Sequence, residues 1–107
     1  MDNRLKKQKD FDLVFRKGKR IHAKSLTLLC LESDCLKFGI SLSKKHGKAV
    51  VRNRIKRLIR AAFKSYIKNI SKSFYIIILP RISDDYNYNN FDKDILYSLK
   101  KGNIIND

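Results

Sequence analysis

The sequence predicts an α+β fold, a single-domain two-layer sandwich with its elements in the order α-β-β-α-β-α. Three observations carry this expectation. Three stretches repeat apolar residues at helical spacing, two alternate them at strand spacing, and Phe74 to Leu79 is a continuous apolar run stopped by Pro80. With 107 residues, the whole chain, 1–107, makes one domain, because a second core would leave each half too small to bury enough apolar surface.

The elements follow in chain order. Asp10 to Arg16 places Phe11, Val14 and Phe15 on one helical face, and Gly18 is a plausible stop. From Ser25 to Leu31, Leu26, Leu28 and Cys30 alternate with Thr27, Leu29 and Leu31, a strand with a buried face and a partly apolar one. Glu32 to Asp34 reads as a turn. Leu36, Phe38, Ile40 and Leu42 then alternate with Lys37, Gly39, Ser41 and Ser43, so the two strands are expected to pair as a hairpin. The longest helix is expected from about Ala49 to Asn69, with Val51, Ile55, Leu58, Ile59, Ala62 and Tyr66 on one stripe. Phe74 to Leu79, short and rich in Ile, reads as a central strand covered on both faces. Asp84 to Asn90 is a polar loop with capping residues, Tyr88, Phe91, Ile95 and Leu99 recur at helical spacing, and a polar tail is expected from Gly102.

Charge is distributed unevenly. The net charge is +15; residues 1–34 hold nine Lys/Arg against five Asp/Glu, residues 35–83 thirteen against none, and residues 84–107 three against five. With 43% hydrophobic residues, five Tyr and six Phe, this is a folding chain, so the cations sit on a folded surface. Self-repulsion within such a block is relieved by a polyanion, and nucleic acid fits better than an acidic protein or a membrane. The domain is therefore expected to be a single RNA-binding domain.

Other classes are disfavoured. No carboxylate lies between Asp34 and Asp84, so the basic surface holds no acid to serve as general base or to bind a catalytic metal. No catalytic residue is assigned to the chain, and its metal sites are left unknown. His22 and His46 have no carboxylate nearby in sequence to orient them, and Gly39 and Gly47 form no nucleotide-binding pattern. Cys30 and Cys35 form no CxxC pair; they are expected to stay reduced, with a disulfide as the alternative. The charged N-terminus has no apolar signal segment and no run is long enough for a membrane helix, so a cytoplasmic protein is expected.

The long helix carries the candidate site. Lys44, Lys45 and Lys48 lead into its start and Arg52 and Arg54 follow, where the helix dipole favours anions over cations. Phosphate relieves that frustration by accepting from the free first-turn N–H groups while pairing with the side chains. Asn53, Arg57, Arg60 and Lys64 form a ridge opposite the apolar stripe, with Arg52 and Lys56 on its flank. An ordinary solvated face would interleave acids four residues from bases, and this one has none. Phe11 and Phe15, an i, i+4 pair, read on composition as core sooner than as a base-stacking platform.

These residues carry a resemblance. The opening RLKKQKDFDLVFRKG, the stretch FGISLSKKHGKAVVRNRIKRLIRAAF and the YIII run at Tyr75 to Ile78 resemble the bacterial ribonuclease P protein-subunit family, most specifically in the Arg52-Asn53-Arg54 signature. The resemblance implies the same element order with a left-handed β-α-β crossover, where sequence reasoning alone would choose a right-handed one. It implies that the chain is the protein component of an endoribonuclease whose hydrolysis, with Mg2+, is performed by a catalytic RNA subunit. The partners implied are that RNA and precursor tRNA, with no membrane and no stable homo-oligomer.

The family pattern assigns RNA-subunit binding to Lys44, Lys45, Lys48, Arg52, Asn53, Arg54, Lys56, Arg57 and Arg60. It assigns the 5′ leader of precursor tRNA to Phe11, Phe15, Thr27, Leu29 and Lys37, which reverses the core reading of the two phenylalanines. Leu29 stands where better-known members tend to carry an aromatic, Lys48 replaces an uncharged polar residue, and His46 an apolar one. The alternative function is a structural ribosomal-type RNA-binding protein with no leader cleft.

Overall fold

Two strands buried on both faces organise the molecule. In the computed structural model, which describes residues 3–70 and 73–105, β2 (Leu26–Glu32) and β4 (Phe74–Pro80) lie side by side and antiparallel at the centre of a four-stranded sheet. β1 (Lys19–His22) flanks β2 antiparallel, β3 (Lys37–Ile40) flanks β4 parallel, and the order is β1-β2-β4-β3. The helices are α1 (Gln8–Lys17), α2 (Ala49–Lys64) and α3 (Tyr88–Lys101). The radius of gyration is 12.9 Å, against about 13 Å for one compact domain of this length.

The sheet with α2 and α3 makes the expected two-layer body. Leu26, Leu28, Cys30, Ile76 and Ile78 face Ile55, Ile59, Ala62 and Phe63 of α2 and Phe91, Ile95 and Leu99 of α3. Phe63 stacks on Phe38, ring centroids 3.9 Å apart and planes within 4°, an aromatic pair beyond simple area burial. The other sheet face is covered by α1, where Val14 packs with Leu5 on Leu29 and Ile77.

Four expectations are corrected. The order gains a strand, α-β-β-β-α-β-α, because β1 is four residues long with Ile21 as its one buried side chain; a short, charged edge strand leaves almost no alternation to read. The expected hairpin of β2 with β3 does not form, since β4 inserts between them and bonds to both. Alternation tells which face of a strand is buried, not which strand lies beside it. α2 ends at Lys64 and a separate 3-10 turn, Ile67–Asn69, follows, so Tyr66 lies beyond the helix. The tail after Gly102 is not polar in its role: Ile104 and Ile105 are buried, and Ile105 bridges to Ile70. Gly18 does end α1, but in an extended conformation (φ −72°, ψ 153°) that leads directly into β1.

Cys30 is buried and Cys35 half-buried, both free thiols; Cys30 packs within the main core, and that burial pushes its thiol above the ordinary value. Among the described residues no helix is long and apolar enough to cross a membrane.

Candidate RNA-binding groove

The site begins at the turn before α2. Ser43 opens a 3-10 turn, Lys44–His46, its Oγ accepting from the Lys45 N–H at 3.3 Å. The His46 ring closes this turn from both sides: Nδ1 accepts from the Ser43 N–H at 3.1 Å and Nε2 lies 2.7 Å from the Pro80 carbonyl oxygen. Acceptance at Nδ1 assigns the proton to Nε2, which then donates to Pro80. His46 thus ties the Lys44–Lys45 turn to the end of β4. Gly47, at φ 115°, takes a backbone conformation that L side chains rarely adopt and swings the chain into α2.

α2 starts without a side-chain cap, its N-cap being Lys48. Its first-turn N–H groups are therefore directed at whatever anion approaches. Ile55, Ile59, Ala62 and Phe63 are buried in the core, which fixes the rotation of the helix and leaves Asn53, Arg54, Arg57 and Arg60 exposed, with Lys44, Lys45 and Lys48 exposed ahead of it. The acids of the neighbouring α3 are engaged elsewhere: Asp92 accepts from the Tyr66 hydroxyl at 2.7 Å and Asp94 from the Ser25 N–H at 2.8 Å. No intramolecular carboxylate quenches this face among the described residues.

The flank of α2 turns toward α1. Arg52, Asn53 and Lys56 form one wall of a groove of about 400 Å³, Gln8, Phe11 and Phe15 of α1 the other, and Ile40 at the end of β3 with Ser41 and Leu42 the floor. The Arg52 Nε is buried without a hydrogen-bond partner, a donor that a ligand in the groove would satisfy. Both phenylalanines are half-buried, so each anchors to the core while keeping ring surface toward the groove. Gly39 makes this possible: a Cβ there would lie 2.8 Å from the Phe11 Cζ, so only hydrogen lets the ring settle on the sheet. No carboxylate lines the groove; its side chains can bind phosphate and stack bases, and offer no general base.

The structure therefore joins two sets of residues that the family resemblance assigns to separate tasks. Phe11 and Phe15 share one groove with Arg52, Asn53 and Lys56. The other expected leader residues lie outside it. Thr27 is 8% exposed with its Oγ1 3.1 Å from the His22 Nδ1, and Lys37 is half-buried on β3. Leu29 is fully buried beneath α1 and presents no surface in this conformation, so its side chain serves the core. Gln8, Ser41 and Leu42 were missed; Gln8 carried a legible signal, since it precedes Phe11 by three and Phe15 by seven, on the same helical face.

Comparison with known proteins agrees with this architecture. The family model described as Ribonuclease P matches residues 1–102. The ribonuclease P protein component of Microcystis aeruginosa is 42% identical over 111 aligned positions, covering 96% of this chain and 92% of that protein. The solved RNase P protein of Staphylococcus aureus is 31% identical and superposes with a TM-score of 0.87, covering 99% of this chain and 100% of its own. That of Thermotoga maritima is 30% identical with a TM-score of 0.80, covering 92% and 96%. Sequence and fold agree, and the chain belongs to the ribonuclease P protein family.

Proposed function

We propose that this chain is the protein subunit of a ribonuclease P ribonucleoprotein, working in the cytoplasm, that holds the catalytic RNA and the 5′ leader of precursor tRNA together. The observation that carries this reading is the shared groove: an uncompensated cationic helix on one side and two aromatic rings on the other. Lys44, Lys45, Lys48, Arg54, Arg57 and Arg60 face outward to phosphates of the catalytic RNA. Arg52, Asn53 and Lys56, on the groove wall, stand where that RNA and the leader meet. Phe11 and Phe15 supply the apolar surface on which unpaired leader bases stack. Removal of the leader to give the mature tRNA 5′ end is then the work of the RNA subunit with Mg2+, and the protein contributes grip and electrostatic relief. One copy of the chain suffices for this task.

Reconstitution with the cognate catalytic RNA tests the reading. The chain alone cleaves nothing specifically, but at low Mg2+ it accelerates cleavage of precursor tRNA by the RNA. A Phe11→Ala, Phe15→Ala double variant that remains folded weakens binding of leader-bearing precursor by about tenfold or more, at ~1–3 kcal/mol per stacked base, and leaves mature tRNA unaffected. Equal loss for both ligands supports a structural RNA-binding protein without a leader cleft.

A further inference from the structure

α3 closes a second cavity, separate from the groove. Its inner face packs Phe91, Ile95 and Leu99 with Leu28 and Cys30, on the side of the sheet opposite α1. Between the first half of α3, the turn at 23–25 and the segment at 81–87 lies a cavity of about 780 Å³ that shares no lining residue with the groove beside Phe11.

The inner wall of this cavity holds an unmet acceptor. Asp94, 9% exposed, lines it. Its Oδ2 accepts from the Ser25 N–H at 2.8 Å and from the Ser25 hydroxyl, which fills both lone pairs of that oxygen. Oδ1 has no partner among the described residues. A buried carboxylate oxygen without a donor is costly, and a ligand in the cavity would supply one. Tyr86, buried on the same wall, accepts at its hydroxyl from the Ser83 N–H at 3.0 Å and keeps its own proton to give.

The rim carries the opposite charge. Lys24, Arg81 and Lys93 are exposed around the mouth, and the Arg81 Nε donates to the Ala23 carbonyl at 3.1 Å, which sets the guanidinium there. Asp85 is the acid of the rim, and it accepts from the Asn87 Nδ2 at 3.2 Å. Tyr97 adds an exposed ring. Cations outside and an acceptor inside select the ligand. An amine or guanidinium would satisfy Asp94 but meets the rim cations first, and an acidic peptide would suit the rim but brings its carboxylates toward Asp94. An unpaired nucleotide fits both layers: phosphate for the rim, base N–H groups for Asp94 and a π-face for Tyr97.

We infer that this cavity is a second RNA site, taking one unpaired nucleotide whose base donates to the Asp94 Oδ1 and whose phosphates meet Lys24, Arg81 and Lys93. The catalytic RNA, precursor tRNA and a free nucleotide all offer this chemistry, and the test separates them. The inference rests on the RNA-binding part of the reading above and not on the groove.

Three probes are titrated against the full chain and its variants: the catalytic RNA, precursor tRNA with the reconstituted holoenzyme, and ribonucleoside monophosphates read by the Ser25 backbone amide shift in NMR. Asp94→Asn keeps an oxygen for Ser25 and puts an amide NH2 where Oδ1 stood, so the position repels a base N–H. It weakens binding of at least one probe by about tenfold, the size of one hydrogen bond to a charged group. Tyr97→Ala weakens the same probe by about fivefold, one stacked base, and Lys93→Gln lowers its slope of log affinity against log salt by about 0.7, one single-strand phosphate. A loss with the catalytic RNA assigns the nucleotide to that RNA, a loss confined to the holoenzyme assigns it to the precursor, and a loss with the monophosphates alone assigns it to solution. No loss with any probe overturns the inference. A Lys93 effect without an Asp94 or Tyr97 effect also overturns it, since that marks a general cationic field. Tyr97 and Lys93 are exposed, so their variants melt with the parent chain; if Asp94→Asn does not fold, those two decide the outcome. The Phe11→Ala, Phe15→Ala variant, measured alongside, reports on the groove alone, and the monophosphate titration stands even if the ribonucleoprotein reading fails.

Discussion

Gly39 illustrates how one residue sets the shape of the groove. Its missing side chain lets the Phe11 ring lie on the sheet, and with Phe11 in place α1 is held at the height that leaves ring surface toward α2. A Gly39→Ala change puts a Cβ 2.8 Å from that ring. Overpacking of this kind destabilises by about 1–3 kcal/mol, and the displaced Phe11 loses leader contact as well. A chemical denaturation midpoint that falls, together with a leader-specific loss of affinity, checks both halves of the expectation. An unchanged midpoint would show that α1 shifts freely. The alternation in Leu36 to Leu42 marked Gly39 as a strand residue of the outer face, but no single sequence names the ring that will sit on it, because α1 and β3 are far apart along the chain. His46 teaches the same lesson: its partner in sequence, Ser43, was within reach of a capping argument, whereas the Pro80 carbonyl, 34 positions away, was not.

At the scale of elements, α2 separates its work by face. Its buried stripe was legible in part: Ile55, Ile59 and Ala62 are in the core, but Val51 is exposed, Leu58 half-buried, and Phe63 replaces Tyr66 as the last buried member. Tyr66 instead clamps the end of α2 to α3 through its bond to Asp92 at 2.7 Å. Burial, followed by the Asp92 hydrogen bond and charge, pushes the Tyr66 phenol from 10.0 up to about 12. A raised folded-state value favours the protonated, folded form, so this contribution is complete below about pH 10 and is lost as pH rises toward 12. Melting temperature measured across that window falls more steeply for the parent chain than for Tyr66→Phe. Tyr75, also raised by burial, leaves a smaller alkaline decline in the variant. Parallel curves for the two proteins would remove Tyr66 as a source. On the opposite face, Arg57 and Arg60 are exposed and their charge is unopposed by any acid from 35 to 83. Replacing each by Gln lowers the salt slope of catalytic-RNA binding by up to about 0.9, one helical phosphate contact, without moving the melting temperature. A slope that stays constant would take those side chains out of the interface.

For the whole molecule, the sequence by itself determined the α+β class, the positions of three helices and three of the four strands, and the location of the cationic helix. These follow from local periodicity and from charge counted along the chain, both of which are written in short windows of residues. Its family resemblance was equally local, concentrated in the stretch around Arg52-Asn53-Arg54. Tertiary structure alone decided that β4 divides β2 from β3, that a charged four-residue segment becomes the sheet edge, and that Leu29 is sealed beneath α1. It also decided that Phe11 and Phe15 face Arg52 and Lys56 across one groove. Those outcomes depend on hydrogen bonds and packing between segments distant in sequence, where every strand with a free edge and an apolar face is an acceptable partner until the core chooses among them.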